Sequence, residues 1–191
     1  MKKTIKLGAI LVLTTVFVSQ FSFAQSKGSK GPNNPVEVGS VLFNVGVGVG
    51  GNYHGDYNGT AFGVKAALEF GLWQAGPGVI TLGPEIGGSF GNAYNYADYH
   101  GHTSSTFVIA GRAAYHYGWD VPGLDTYAGF SAGIGFHHYG YDANGNYLNQ
   151  TIPVFGAFVA ASYFVSPTFG FNAEAGYDIT NFQVGVVFKL K

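Results

Sequence analysis

The sequence predicts an all-β fold, an eight-stranded antiparallel transmembrane up-and-down β-barrel, and three observations predict it. Apolar residues make up 47% of the 191 residues and charged residues 10%. That is little charge for a solvated surface, yet past residue 24 no stretch reaches the roughly 18 apolar residues of a membrane helix. Eight segments alternate large apolar side chains with small or polar ones, the period-two signature of strands. The connections between them are by turns long and polar, then short and proline-bearing.

The first element is an export signal. Lys2, Lys3 and Lys6 form a basic start, Leu7 to Val18 an apolar run, and Ser22-Phe23-Ala24 a small-x-small site, so cleavage is expected after Ala24. Residues 1–24 are therefore read as a signal peptide, residues 25–35 (QSKGSKGPNNP) as a flexible lead-in, and residues 36–191 as the barrel. Three of the nine basic residues lie in the signal, so six bases face ten acids in the rest of the chain, a net charge of −4. No basic patch marks a nucleic-acid partner. There is no cysteine, which excludes a disulfide framework, thiolate metal sites and a cysteine nucleophile.

The strands follow in order. Val41, Phe43, Val45, Val47 and Val49 share one face of the first, and Phe62, Val64, Ala66, Leu68, Phe70 and Leu72 one face of the second. Ile80, Leu82, Ile86 and Phe90 mark the third, Phe107, Ile109, Ala113, Tyr115 and Tyr117 the fourth, and Ala128, Phe130, Ala132, Ile134 and Phe136 the fifth. The sixth, Thr151 to Phe164, is apolar on both faces, so its phase stays open. Phe169, Phe171, Ala173, Ala175 and Tyr177 mark the seventh, and Phe182, Val184, Val186, Phe188 and Leu190 the eighth. An even count of strands, each of about 9–11 residues, suits a bilayer-crossing barrel. Pro84 falls inside the third segment, where a bulge or a shorter strand is expected.

The opposite faces carry glycine, Lys, Glu, Arg and Asn, which suits a narrow lumen, while the large apolar face must meet lipid. Parity places Lys65, Glu69, Glu85, Arg112, Glu174 and Lys189 inside. They are expected to form a charge network that plugs the lumen, with Lys189 meeting Glu174 on the neighbouring strand. Residues 52–60, 92–104 and 138–150 are long connections rich in Tyr, Asn, Asp, His and Gly; residues 74–78, 118–124 and 165–168 are short. Long outside and short in the periplasm is the outer-membrane pattern. Trp73, Tyr115, Tyr117, Trp119 and Tyr163 then form one periplasmic girdle. Tyr53, Tyr57, Tyr94, Tyr96, Tyr99, Tyr139, Tyr141 and Tyr147 crowd the outer end, as a belt or as contact surface for a partner.

No catalytic or cofactor motif emerges. Gly46-Val-Gly-Val-Gly-Gly51 matches a dinucleotide fingerprint, but no helix follows it. His54, His100, His102, His137 and His138 lie in or beside loops whose composition carries histidines without ligating, so no metal is expected. Ser104, Ser105 and Ser131 are the candidate nucleophiles, but no His-x-Ser pairing accompanies them, and no enzyme is expected.

The export signal, the alternating segments and the terminal strand from Phe182 to Leu190 resemble the small outer-membrane β-barrel proteins of Gram-negative bacteria. The Ala24-Gln25 junction and Leu82-Gly-Pro-Glu-Ile86 are most similar to the porin-like barrels of the Bacteroidota. The resemblance covers roughly residues 36–191 and implies a structural, adhesive or porin-like role. It implies outer-membrane lipid and lipopolysaccharide as surroundings, the barrel-assembly machinery as a partner, and a surface partner at the loops. Of two functional readings, a non-enzymatic barrel with exposed Tyr-rich loops leads and a small-solute channel follows, since eight strands leave little room for a pore.

Overall fold

The computed structural model describes residues 33–53, 61–94, 101–141 and 147–191, and side chains within those except at 92–94, 101–103, 139–141 and 147–148. The proposed signal peptide lies outside them. Eight strands run in chain order: β1 (Val41–Val49), β2 (Phe62–Ala75), β3 (Gly78–Tyr94), β4 (Gly101–Gly118), β5 (Leu124–Tyr141), β6 (Tyr147–Ser166), β7 (Phe169–Tyr177) and β8 (Phe182–Lys189). Each pairs antiparallel with the next, and β1 pairs with β8, so the sheet closes into an up-and-down barrel. One rim carries the first residues of β1, the last of β8 and the short turns; it is the terminal rim below. The other is the loop rim.

Alternation along each strand sorts the side chains as the parity predicts. Phe130 and Phe155 point outward, each 69% exposed, with Phe62, Val64, Ile86, Phe107, Ile109, Val159 and Phe171 beside them on the outer face. Arg112, His116, Glu69 and Glu85 point inward and are fully buried. The open phase of β6 resolves with Val154, Phe158 and Phe164 inward and Phe155, Val159 and Tyr163 outward.

Two expectations need correction. Pro84 causes no bulge: the β2–β3 pairing passes from Ala67–Glu85 to Phe70–Leu82 with unchanged register, and Pro84 faces outward opposite Gly111 of β4. The neighbouring Gly83 lets β2 approach, since a Cβ there would overlap the Leu68 carbonyl. The irregularity lies instead between Gly71 and Trp73. Second, strands run into the segments read as long loops, with pairing up to Tyr94–Gly101 and Tyr141–Tyr147. Strands β3 to β6 are thus 17–20 residues long, against 9, 9 and 8 for β1, β7 and β8. Backbone pairing sets their length, and polar side chains pair as readily as apolar ones in an antiparallel ladder.

Of the expected lead-in only residues 33–35 are described, and the chain from there into the barrel packs against the terminal mouth. Lys189 Nζ donates to the Pro35 carbonyl (2.9 Å), Gly39 N donates to Gly71 O and Gly71 N to Ser40 O (each 2.8 Å). Val36 is fully buried and packs with Leu42, Val79, Phe164 and Val187. Residues 33–40 therefore strap the terminal mouth, because an apolar side chain there escapes water only by turning inward.

Gly83→Ala is expected to force β2 and β3 apart and to lower stability by about 1–3 kcal/mol. The urea midpoint in detergent micelles measures it; an unshifted midpoint rules out the close approach.

Candidate functional site

The lumen is filled in layers. At its centre Arg112 of β4 reaches three strands. Its Nη1 donates to Glu85 Oε2 on β3 (2.8 Å) and its Nη2 to Glu174 Oε2 on β7 (2.9 Å). Its Nε lies 3.3 Å from Glu69 Oε1 on β2, close enough for an ion pair though not aligned as a hydrogen bond. The guanidinium sits over the Phe158 ring, 4.1 Å from its centroid. Lys65 of β2 pairs with Glu174, with Asp178 (2.6 Å) and with Glu85 (3.4 Å).

Towards the terminal rim, His116 bridges two carboxylates. Its Nδ1 is 2.7 Å from Asp125 Oδ2 and its Nε2 is 3.2 Å from Glu69 Oε2. Its ring stacks on Tyr127, with centroids 4.5 Å apart. Glu69 also accepts from Thr81 Oγ1 (2.6 Å) and Asn44 Nδ2 (3.0 Å). Within the described lumen, the carboxylates of Glu69, Glu85, Asp125, Glu174 and Asp178 meet Lys65, Arg112 and the His116 ring.

Towards the loop rim, Asp178 Oδ1 accepts from Tyr53 Oη (2.8 Å) and Ser131 Oγ (3.0 Å). Burial pushes the Asp178 carboxyl up, but the Lys65 ammonium and these donors outweigh it and hold it below the usual carboxylate range. Burial raises the Tyr53 phenol, with the Asp178 charge adding to it, so the hydroxyl stays a donor. Above this lies an apolar cap of Val108, Ala110, Val154 and Ile179, against which Tyr53 and Ile152 pack.

The structure brings five of the six expected lumen charges together: Lys65, Glu69, Glu85, Arg112 and Glu174. Lys189 is not among them, which corrects its expected pairing with Glu174. The β7–β8 register sets Glu174 opposite Gln183, whereas Lys189 N donates to Thr168 O at the terminal rim. The strands are offset, so neighbours in strand order need not share a level. Tyr53 lies at the loop rim, where its hydroxyl turns in over the lumen to donate to Asp178.

Asp125, His116, Asp178 and Tyr53 were missed as members of the network. Inward parity on β4, β5 and the end of β7 could have flagged the first three. The girdle residues share the terminal rim. Tyr115 Oη donates to Ala75 O (3.2 Å), Trp119 Nε1 donates to Thr126 Oγ1 (2.8 Å), and Tyr117 and Trp119 meet edge to face at 4.9 Å. Trp73 and Tyr163 lie at the same end, opposite Ile80 and Leu124.

His137 belongs to β5 and points inward, with its Nδ1 2.8 Å from Thr106 Oγ1 and its Nε2 3.4 Å from Ser104 Oγ. Both Ser104 and His137 are buried. His54, Tyr57, Tyr96, Tyr99 and His100 lie outside the described residues, as do the side chains of Tyr94, His102, Tyr139, Tyr141 and Tyr147. Among the described residues no cluster of His, Asp and Glu is arranged to hold a metal ion.

No family model matches the chain, and no curated protein matches it. Similar solved structures include the attachment invasion locus protein Ail of Yersinia pestis in complex with the heparin analogue sucrose octasulfate. That likeness has 9% identity over 78% of this chain and 93% of that one, with a TM-score of 0.46. The N-terminal β-barrel domain of Pseudomonas aeruginosa OprF is similar at 15% identity over 81% and 98%, with a TM-score of 0.39. At such identities and scores the likeness adds nothing to the barrel described above.

Replacing Arg112 with alanine leaves three carboxylates short of a partner and is expected to cost about 3–5 kcal/mol. Lys189→Ala is expected to cost about 1 kcal/mol, the worth of one hydrogen bond. Equal losses in urea unfolding would show that Arg112 holds no network. Asp178 supplies stability at neutral pH that is lost as pH falls through its depressed folded-state value. The stability gap between the native chain and Asp178→Asn is therefore expected to hold near neutrality and to close only below the usual carboxylate range. A gap that is the same at every pH would contradict this.

Proposed function

We propose that this chain is a non-enzymatic outer-membrane β-barrel of a Gram-negative bacterium, structural in role, with a closed lumen and a loop rim that offers Tyr-rich surface to partners. One observation carries this reading: the polarity is inverted, with large apolar side chains outside and Arg, Lys, His, Glu and Asp buried inside. In water such an exterior would aggregate; in a bilayer it is the required face.

The export signal, cut after Ala24, delivers the chain to the periplasm. The terminal rim then faces the periplasm, with the girdle of Trp73, Tyr115, Tyr117, Trp119 and Tyr163 at the lipid boundary. Outer-membrane lipid and lipopolysaccharide surround the wall, and the barrel-assembly machinery inserts it. Kinship with the Bacteroidota porin-like barrels rests on the Ala24-Gln25 junction and the Leu82–Ile86 segment alone. The filled lumen supports a barrel that does not conduct, and the small-solute channel gains no support from it. The Ser104–His137 pair is buried on the lumen side of the wall, which does not favour a hydrolase acting on lipid.

Fractionation and planar-bilayer recording test the reading. The protein is expected in the outer membrane, with no steady conductance. Protease added to intact cells is expected to cut within residues 92–104 or 138–150. Recovery in the inner membrane or cytosol sinks the proposal, and a steady conductance turns it into the channel.

A further inference from the structure

The β7–β8 connection does not stand on the rim as a surface turn. Asp178, Ile179 and Thr180 are buried at 1%, 0% and 5% exposure, folded into the loop mouth. The barrel wall is carved to receive them. A Cβ on Gly48 of β1 would overlap the Thr180 hydroxyl, one on Gly63 of β2 would strike the Thr180 methyl at 2.5 Å, and one on Gly87 of β3 would come within 2.9 Å of Ile179 Cδ1. Three strands thus keep glycine where this turn sits.

What holds the turn is concentrated on Asp178. Its carboxylate is gripped by Lys65, Ser131 and Tyr53, from β2, β5 and the β1–β2 connection, and its carbonyl accepts from Asn52 Nδ2 (2.9 Å). The β7–β8 pairing ends at Ala175–Phe182. Beyond that pair the turn has two backbone bonds of its own, Gly176 N to Asn181 O (2.9 Å) and Asn181 N to Val49 O (3.0 Å). Lifting it therefore leaves the closed ladder of the barrel intact.

We propose that residues Asp178–Asn181 form a lid on the loop mouth and that Asp178 is its latch. Loss of the carboxylate's bonds frees the turn to swing outward, which uncovers a vestibule walled by Val108, Ala110 and Val154 and floored by the Lys65–Arg112 layer. The terminal strap stays shut, so the motion opens a pocket and not a pore. Because Lys65 pairs both with Asp178 of the latch and with Glu85 of the floor, the lid is coupled to the central charge layer.

The absence of cysteine makes the test direct. Val108 is 1% exposed beneath Ile179, so Val108→Cys introduces one thiol under the lid. A membrane-impermeant maleimide is expected to label that thiol slowly in the folded protein. Adding Asp178→Asn is expected to speed labelling on the order of tenfold by raising the population of the open form. Gly48→Val, which evicts Thr180 without touching the latch, is expected to act in the same direction. Retention of the heat-modifiable gel shift shows that the barrel remains closed in each variant. If Asp178→Asn does not fold, Tyr53→Phe removes one donor and is expected to give a smaller acceleration. Folded variants that label no faster than Val108→Cys alone overturn the lid.

Discussion

Arg112 is the point on which the interior converges. Its side chain is 1% exposed, bears a full charge, and finds carboxylates on three other strands and an aromatic ring on a fourth. An unpaired guanidinium in so narrow a space would be prohibitively costly, so β2, β3, β6 and β7 must reach it together. That demand constrains the register of half the barrel. It also accounts for the small residues on the inward faces, since eight strands enclose room for only a few large side chains. Phe158 belongs to the same constraint: it is the large apolar side chain that the charged layer admits, because its ring face attracts both Arg112 and, at 5.5 Å, Lys65.

The two mouths are closed by the chain's own ends and turns rather than by the barrel wall. At the terminal rim the strap places Val36 over Leu42 and Val187, and at the loop rim the last turn places Ile179 over Val108 and Val154. The charged layer is thereby sealed from water on both sides, which strengthens every interaction within it.

The strand pattern was legible because a wall with an apolar outer face and a polar lumen enforces alternation along each strand. Lys65, Glu69, Glu85, Arg112 and Glu174 were assigned inward on parity alone. The phase of β6 was not legible, since Val154 and Phe155 or Phe158 and Val159 serve equally well on either face; the cation-bearing layer chose Phe158. Lys189 was misplaced because parity tells which side a residue faces and not its height along the axis, and height depends on the offset between strands. Tyr53 and Asp178 lie where alternation ends. There, composition suggested surface, and only the three-dimensional path of the connections brought them inside. Pro84 escaped its expected bulge because its ring faces outward, and Gly83 beside it absorbs the close approach of β2.

The unequal strands have a mechanical consequence. A strand of 8 or 9 residues rises about 30 Å along its own direction and, at the usual tilt, spans roughly 23 Å of height. The seam where β7, β8 and β1 meet is therefore barely as tall as an outer-membrane apolar band, while β3 to β6 overshoot it. Placed in an outer membrane, lipid beside the seam would have to thin to match, and lipid beside the tall side would not. In the proposed outer-membrane setting the bilayer around this barrel would then be uneven in thickness, thinnest at the junction between the first and last strands, where the ring is closed.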